Sequence, residues 1–198
     1  LLTGAQALLA PASADGVGPL SIAKTGHFFV GGKYVDTKEG AVLAGQAYVE
    51  YQIPTKRTRP YPIVMIHGGG QSGSNFTGTP DGRPGWAQYF LTQGYSVYVM
   101  DQPGRGRGRL DPSFGAVTTS NVAAIEQRFT APERSNMWPQ AKTHSQWPGT
   151  GVAGDPIFDQ FYAEQMPSIA SFPRQQELNR DAGAALLDKI GPAIVLIH

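Results

Sequence analysis

The strongest constraint on this chain is the passage from Tyr61-Pro62-Ile63-Val64-Met65-Ile66 into His67-Gly68-Gly69-Gly70. An apolar run of this length reads as a buried strand, and the glycines that follow carry no Cβ to shield their backbone. Such a turn brings bare N–H groups to the end of a sheet, where they can be aimed at a negative charge forming on an oxygen. That is the chemistry of an oxyanion hole. A second apolar run, Pro192-Ala193-Ile194-Val195-Leu196-Ile197, ends in His198 and reads as another buried strand, one that leads toward the position where a nucleophile is expected.

The 198 residues suffice for one domain with a real core, at 40% hydrophobic and 16% charged. A formal net charge of +1 gives no electrostatic footprint for nucleic acid or an anionic membrane, so a small molecule is the expected partner. The absence of cysteine removes thiolate chemistry and cysteine metal sites. No histidine has a partner at metal-ligand spacing, and neither a metal nor a cofactor is expected. No run reaches the ~18 apolar residues of a membrane span. The stretch Leu1 to Ala14, with Ala7-Leu8-Leu9-Ala10 before Pro11-Ala12-Ser13-Ala14, fits the tail of a secretory signal and equally a small-residue arm. Asn75-Phe76-Thr77 is a glycosylation sequon that matters only on a eukaryotic secretory route. Secreted or periplasmic placement is the expectation, with the cytoplasm left open.

Along the chain, Gly26–Gly32 and Gly45–Ile53 read as a leading antiparallel pair. Between Gln71 and Pro84 the breakers Gly73, Gly78, Pro80 and Gly82 argue against an early helix. Trp86–Gln93 reads as a short amphipathic helix stopped by Gly94, and Tyr95–Met100 as a central parallel strand closed by Asp101. Prolines and aromatics scatter through Asp111–Ser171 without a period, which predicts an excursion of short helices over something else. Phe129, Trp138, Trp147, Phe158, Phe161, Tyr162 and Phe172 would line an acyl or aryl pocket there, or form the excursion's own core. The segment Gln175–Ile190 puts Leu178, Ala182, Ala185, Leu186 and Ile190 on one helical face. The alternation implies an α/β fold with a mostly parallel sheet and flanking helices. Residues 1–110 would form the first part of the core, 111–171 the cap and 172–198 the helix and strand approaching the nucleophile turn.

Gly68-Gly69-Gly70-Gln71-Ser72-Gly73 also spells the dinucleotide fingerprint G-x-G-x-x-G. That motif needs its last glycine to open a helix and an acidic residue ~20 positions on. The breakers that follow, and the later Asp101, argue against it. The glycines of Asp101-Gln102-Pro103-Gly104-Arg105-Gly106-Arg107-Gly108 read as a loop passing beneath its neighbours, with Asp101 satisfying backbone N–H groups. Arg105, Arg107 and Arg109 read as solvated or paired. His67 is expected to fix its own loop by hydrogen bonds.

Strand-His-Gly-Gly-Gly, then strand-Asp-x-x-Gly-x-Gly, then a helix and a strand ending in His, together resemble the first half of an α/β-hydrolase. More narrowly, Pro80-Asp81-Gly82-Arg83-Pro84-Gly85-Trp86, Tyr89-Phe90-Leu91, Gly94-Tyr95-Ser96 and Asp101–Arg107 resemble a branch of secreted bacterial and fungal serine esterases. The likeness is good over Tyr61–Gly108 and elsewhere follows element order only. It implies that Gly69, with Gly68, donates N–H groups to the oxyanion. His67, Gly70, Gln71 and His198 would then support that loop and the turn beyond it. It further implies that serine, acid and catalytic histidine belong to a C-terminal half, so that activity requires that half as a partner. A homodimer of the assembled enzyme is compatible with this. The expected function is carboxylic ester hydrolysis of a small molecule. Lactone opening, C–C cleavage, non-hydrolytic cyclisation or isomerisation, and noncatalytic ligand binding remain the alternatives.

Overall fold

The computed structural model describes residues 19–198, so the apolar and small residues of the N-terminal stretch lie outside the described part. Two long strands open the fold, β1 (Ile22–Thr37) and β2 (Gly40–Pro54), paired antiparallel through a tight turn. Both run well beyond the expected limits. Strand β3 (Ile63–Ile66) leads through the one-turn helix α1 (Ser74–Thr77) and helix α2 (Trp86–Thr92) to β4 (Val97–Asp101). The short strand β5 (Val117–Thr118) opens the excursion, which contains α3 (Val122–Ile125), a wider π turn over Glu126–Thr130 and α4 (Pro156–Ala163). It closes on β6 (Ser168–Ile169), before α5 (Phe172–Ile190) and β7 (Ile194–Ile197).

The main sheet has five strands in the order β1-β2-β4-β3-β7. Pairings β3–β4 and β3–β7 are parallel, whereas β1–β2 and β2–β4 are antiparallel. The expectation of a mostly parallel sheet is therefore corrected to an even division among the described pairings. The cause is the long leading hairpin, which joins the parallel strands through β2. A second correction is α1, because a single turn fits between Gly73 and Gly78 despite the breakers around it.

Period-two alternation sets the core. Ile63, Met65, Val97 and Val99 meet Phe76, Ala87 and Leu91 on one face of the sheet. On the other, Val64, Met100, Val30, Ala47 and Val49 meet Ala182 and Leu186 of α5. Helix α5 starts three residues earlier than the apolar face suggested, because Ser171 caps it and Pro173 is accommodated in its first turn. Strands β5 and β6 pair antiparallel and close the excursion at its two ends.

Strand β7 pairs with β3 on one side, and Ile194, Val195 and Ile197 are exposed, the last at 72%. Its apolar sequence is that of a strand covered on both faces.

The packing of α5 on the sheet is directly testable. Leu186→Ala should cost about 2–5 kcal/mol, since it opens a cavity beneath the sheet. Leu187→Ala, on the neighbouring exposed position, should stay within about 0.5 kcal/mol. Urea unfolding of the two variants checks this, and equal losses would contradict the assigned face.

Candidate functional site

The loop leaving β3 and the loop leaving β4 meet at the carboxyl end of the parallel strands. Such a position is where ligands bind in open α/β sheets. His67 is fully buried, and its Nε2 accepts the Gln102 N–H at 3.1 Å. Its Nδ1 lies 3.0 Å from the Gly68 carbonyl. An accepting Nε2 leaves the proton on Nδ1, so the ring donates to that carbonyl as the neutral tautomer. Burial drives its pKa down to about 4, against smaller opposing effects of the Gly68 hydrogen bond and Asp101. In this geometry the His67 ring links its own loop to the loop after β4.

Asp101, at the end of β4 and buried, accepts the Gly73 N–H at 2.6 Å, the Arg107 N–H at 2.9 Å and Arg107 Nε at 2.8 Å. It ties the two loops together through backbone donors, as expected from its place after the strand. Arg107 also pairs with Glu50, and Arg109 lies 3.5 Å from Asp111. Arg105 departs from expectation. It is 5% exposed, has no carboxylate partner among the described residues, and donates from Nη1 to the Gly68 carbonyl at 3.0 Å. Its environment shifts the guanidinium pKa downward through desolvation.

Neither Gly68 nor Gly69 donates its N–H to a protein acceptor among the described residues. Gly70 does: its N–H reaches Ser168 Oγ at 3.2 Å, and its carbonyl accepts Met166 N–H at 2.8 Å. Gly70 sits at φ +71°, a conformation glycine alone adopts freely. A Cβ on Gly68 would lie 2.6 Å from His198 Nδ1, whereas one on Gly69 would meet nothing within 4 Å. His198 is held at the end of β7 by its N–H to the Ile66 carbonyl at 3.2 Å.

These residues border a cavity of about 320 Å³. It is lined by Gly68, Gly69, Gln71 and His198 from the core and by residues of the excursion, among them Ile125, Phe129, Phe161 and Ser168. The excursion thus stands over the glycine loop. Its aromatics divide by role: Phe129 and Phe161 face the cavity, Phe158 is buried against Tyr162, and Phe172 is exposed. Trp147 packs edge-on against Phe161. Asn75 of the sequon donates its amide nitrogen to Gln71 Oε1 at 2.7 Å, which engages the atom a glycan would occupy. No serine hydroxyl is hydrogen-bonded to a histidine among the described residues. Nothing in the sequence marks Arg105, Gln165 and Ser168 as site residues, because sequence order does not say which loops meet.

No family model matches the chain. A fungal protein named "Probable secreted lipase phiG", from Fungal sp. (strain ATCC 74256), is 50% identical over 174 residues, covering 88% of this chain and 45% of the relative. The chain therefore spans about half the length of that curated relative. A solved structure described as a novel bacterial esterase superposes with a TM-score of 0.72 at 29% identity, covering 91% of this chain and 61% of that one. The chain has an esterase-like mixed α/β fold. No helix among the described residues is long and apolar enough to cross a membrane.

The His67 environment carries a pH signature. Its folded pKa of about 4 lies below the ordinary 6.5, so the unfolded chain binds a proton that the folded chain refuses in this window. Its stabilising contribution is full above the unfolded value and is lost as pH falls toward the folded one, on a scale of roughly 3 kcal/mol. Urea unfolding at about pH 7 and about pH 4.5, for the natural protein and His67→Asn, isolates the effect. The variant should be less stable at the higher pH and lose less on acidification. Parallel losses in the two proteins would contradict the assignment.

Proposed function

We propose that this chain forms the oxyanion-hole half of a secreted, serine-dependent carboxylic ester hydrolase. The observation that carries the reading is a pair of adjacent glycines, Gly68 and Gly69, whose N–H groups have no protein acceptor among the described residues and which border a half-apolar cavity. The secreted-lipase name of one relative and the esterase description of the other support the same reading.

Attack on an ester carbonyl moves charge onto its oxygen. Backbone N–H donors fixed in advance stabilise that charge without reorganising, and loss of one such donor costs about 10²- to 10³-fold in kcat. Phe129, Phe161, Ile125 and Ala124 would receive the apolar part of a small ester, with the excursion 111–171 acting as the cap that selects it. The nucleophile would sit just beyond β7, where His198, the residue after the strand, already abuts Gly68. Serine, acid and catalytic histidine would come from sequence outside this chain, which spans 45% of one relative and 61% of the other. The exposed apolar edge of β7 would be covered by the same part of the protein.

Two substitutions in the full-length protein separate this reading from a purely structural loop. Gly69→Ala keeps the N–H and meets nothing within 4 Å, so hydrolysis of p-nitrophenyl butyrate should stay within about threefold of the natural protein. Gly69→Pro deletes the donor and should lower kcat about 10²-fold or more. Equal activity in both variants would contradict the assignment of Gly69.

A further inference from the structure

The carbonyls on either side of Gly68 are both committed to side chains of the loop after β4. Gln102 Nε2 donates to the His67 carbonyl, and Arg105 Nη1 donates to the Gly68 carbonyl at 3.0 Å, alongside His67 Nδ1 at the same distance. In a trans peptide the C=O and the next N–H lie in one rigid plane and point in opposite directions. Holding the His67 carbonyl therefore aims the Gly68 N–H, and holding the Gly68 carbonyl aims the Gly69 N–H. Consecutive glycines have little intrinsic preference among these orientations. A flipped plane would present a carbonyl oxygen where a donor is needed, replacing attraction of an oxyanion by repulsion.

The holding groups are themselves held. Gln102 Oε1 accepts Asn179 Nδ2 at 3.0 Å and Gln175 Nε2 at 3.4 Å, which anchors it to α5. Arg105 differs from its neighbours in a telling way, since among the described residues Arg107 and Arg109 meet carboxylates and Arg105 does not. Its Nε is buried with no partner among the described residues. Burying an unpaired guanidinium is costly, and the carbonyl it reaches belongs to the peptide whose N–H is the proposed donor. A cation on the far side of that peptide also polarises it toward stronger donation and adds positive potential at the oxyanion position.

From this we infer that Arg105 is a positioning residue of the oxyanion pocket: it locks the Gly68–Gly69 peptide with its N–H toward the substrate and reinforces that donor with its charge. Gln102 does the same for the preceding peptide without a charge. The inference rests on the ester-hydrolase reading and extends it to a side chain that touches no substrate.

The test uses the full-length protein as Arg105→Met, which keeps the stem and removes the donors, and as Arg105→Lys, which keeps the charge but not the fork. Active sites are counted by p-nitrophenol release from a p-nitrophenyl phosphonate, so a smaller folded fraction does not pass for slower chemistry. With p-nitrophenyl butyrate, Arg105→Met should lower kcat per titrated site roughly 10²-fold, with KM within about threefold. Affinity for a trifluoromethyl ketone, which forms an oxyanion on the enzyme, should weaken by a comparable factor. Arg105→Lys should fall between, down about tenfold, since an ammonium is not equivalent to a guanidinium at a fixed site. Unchanged turnover per site and unchanged ketone affinity would overturn the inference even if thermal stability fell, and the lysine variant decides the matter alone should the methionine variant fail to fold. A natural protein that neither cleaves the ester nor takes up the phosphonate removes the hydrolase reading and the inference together. An active natural protein with unaffected Arg105 variants removes the inference only.

Discussion

Everything at the carboxyl end of this sheet depends on how the loop after β3 is pinned to the loop after β4. Asp101 collects donors from both, and the His67 ring bridges them by accepting Gln102 N–H on one side and donating to the Gly68 carbonyl on the other. Burial keeps that imidazole neutral, which is the state in which one ring can accept and donate at once. A protonated ring would put two N–H groups where one acceptor is required, and the Gln102 N–H would lose its partner. The glycine loop is thus held by buried side chains rather than by its own sequence, and its freedom is spent on approach to His198 and on the left-handed turn at Gly70.

That arrangement is affordable because the sheet beneath it is packed on both faces. Strands β3 and β4 send alternate side chains to α1 and α2 on one side and to α5 on the other. The rigid platform fixes the strand ends, and the loops then need only a few polar contacts to become ordered. Helix α5 has a double role in this, because the helix that buries Leu186 against the sheet also presents Asn179 and Gln175 to Gln102. The excursion closes the other side through Met166 and Ser168, both bonded to Gly70. The excursion and the glycine loop are therefore bonded to each other at Gly70.

Strands β3, β4 and β7 were legible in the sequence because unbroken apolar runs have few other uses in a chain of this composition. Asp101 was legible for a related reason, since an acidic residue closing a buried strand must find donors nearby. The first turn of α5 is not legible from its apolar face, which begins after Gln175, and Pro173 fits that turn because its missing N–H costs nothing there. The parallel share of the sheet was overestimated because the pairing of β2 with β4 depends on tertiary placement, not on any local pattern. Arg105 was hidden for the same kind of reason. Its sequence neighbours Arg107 and Arg109 are paired at the surface, and only the meeting of two loops distinguishes the one that is buried. Among the excursion's aromatics, composition could not separate Phe158, which packs inward, from Phe161, which faces the cavity.

The most direct test of the central claim is a crystal structure of the full-length protein inactivated by an aryl phosphonate, whose phosphoryl oxygen stands in for the oxyanion. That oxygen should lie about 2.7–3.1 Å from the Gly69 nitrogen, with the Gly68 carbonyl still bonded to Arg105 and His67. A phosphoryl oxygen directed away from Gly68 and Gly69, or a Gly69 N–H paired with a protein carbonyl in the inactivated enzyme, would contradict it.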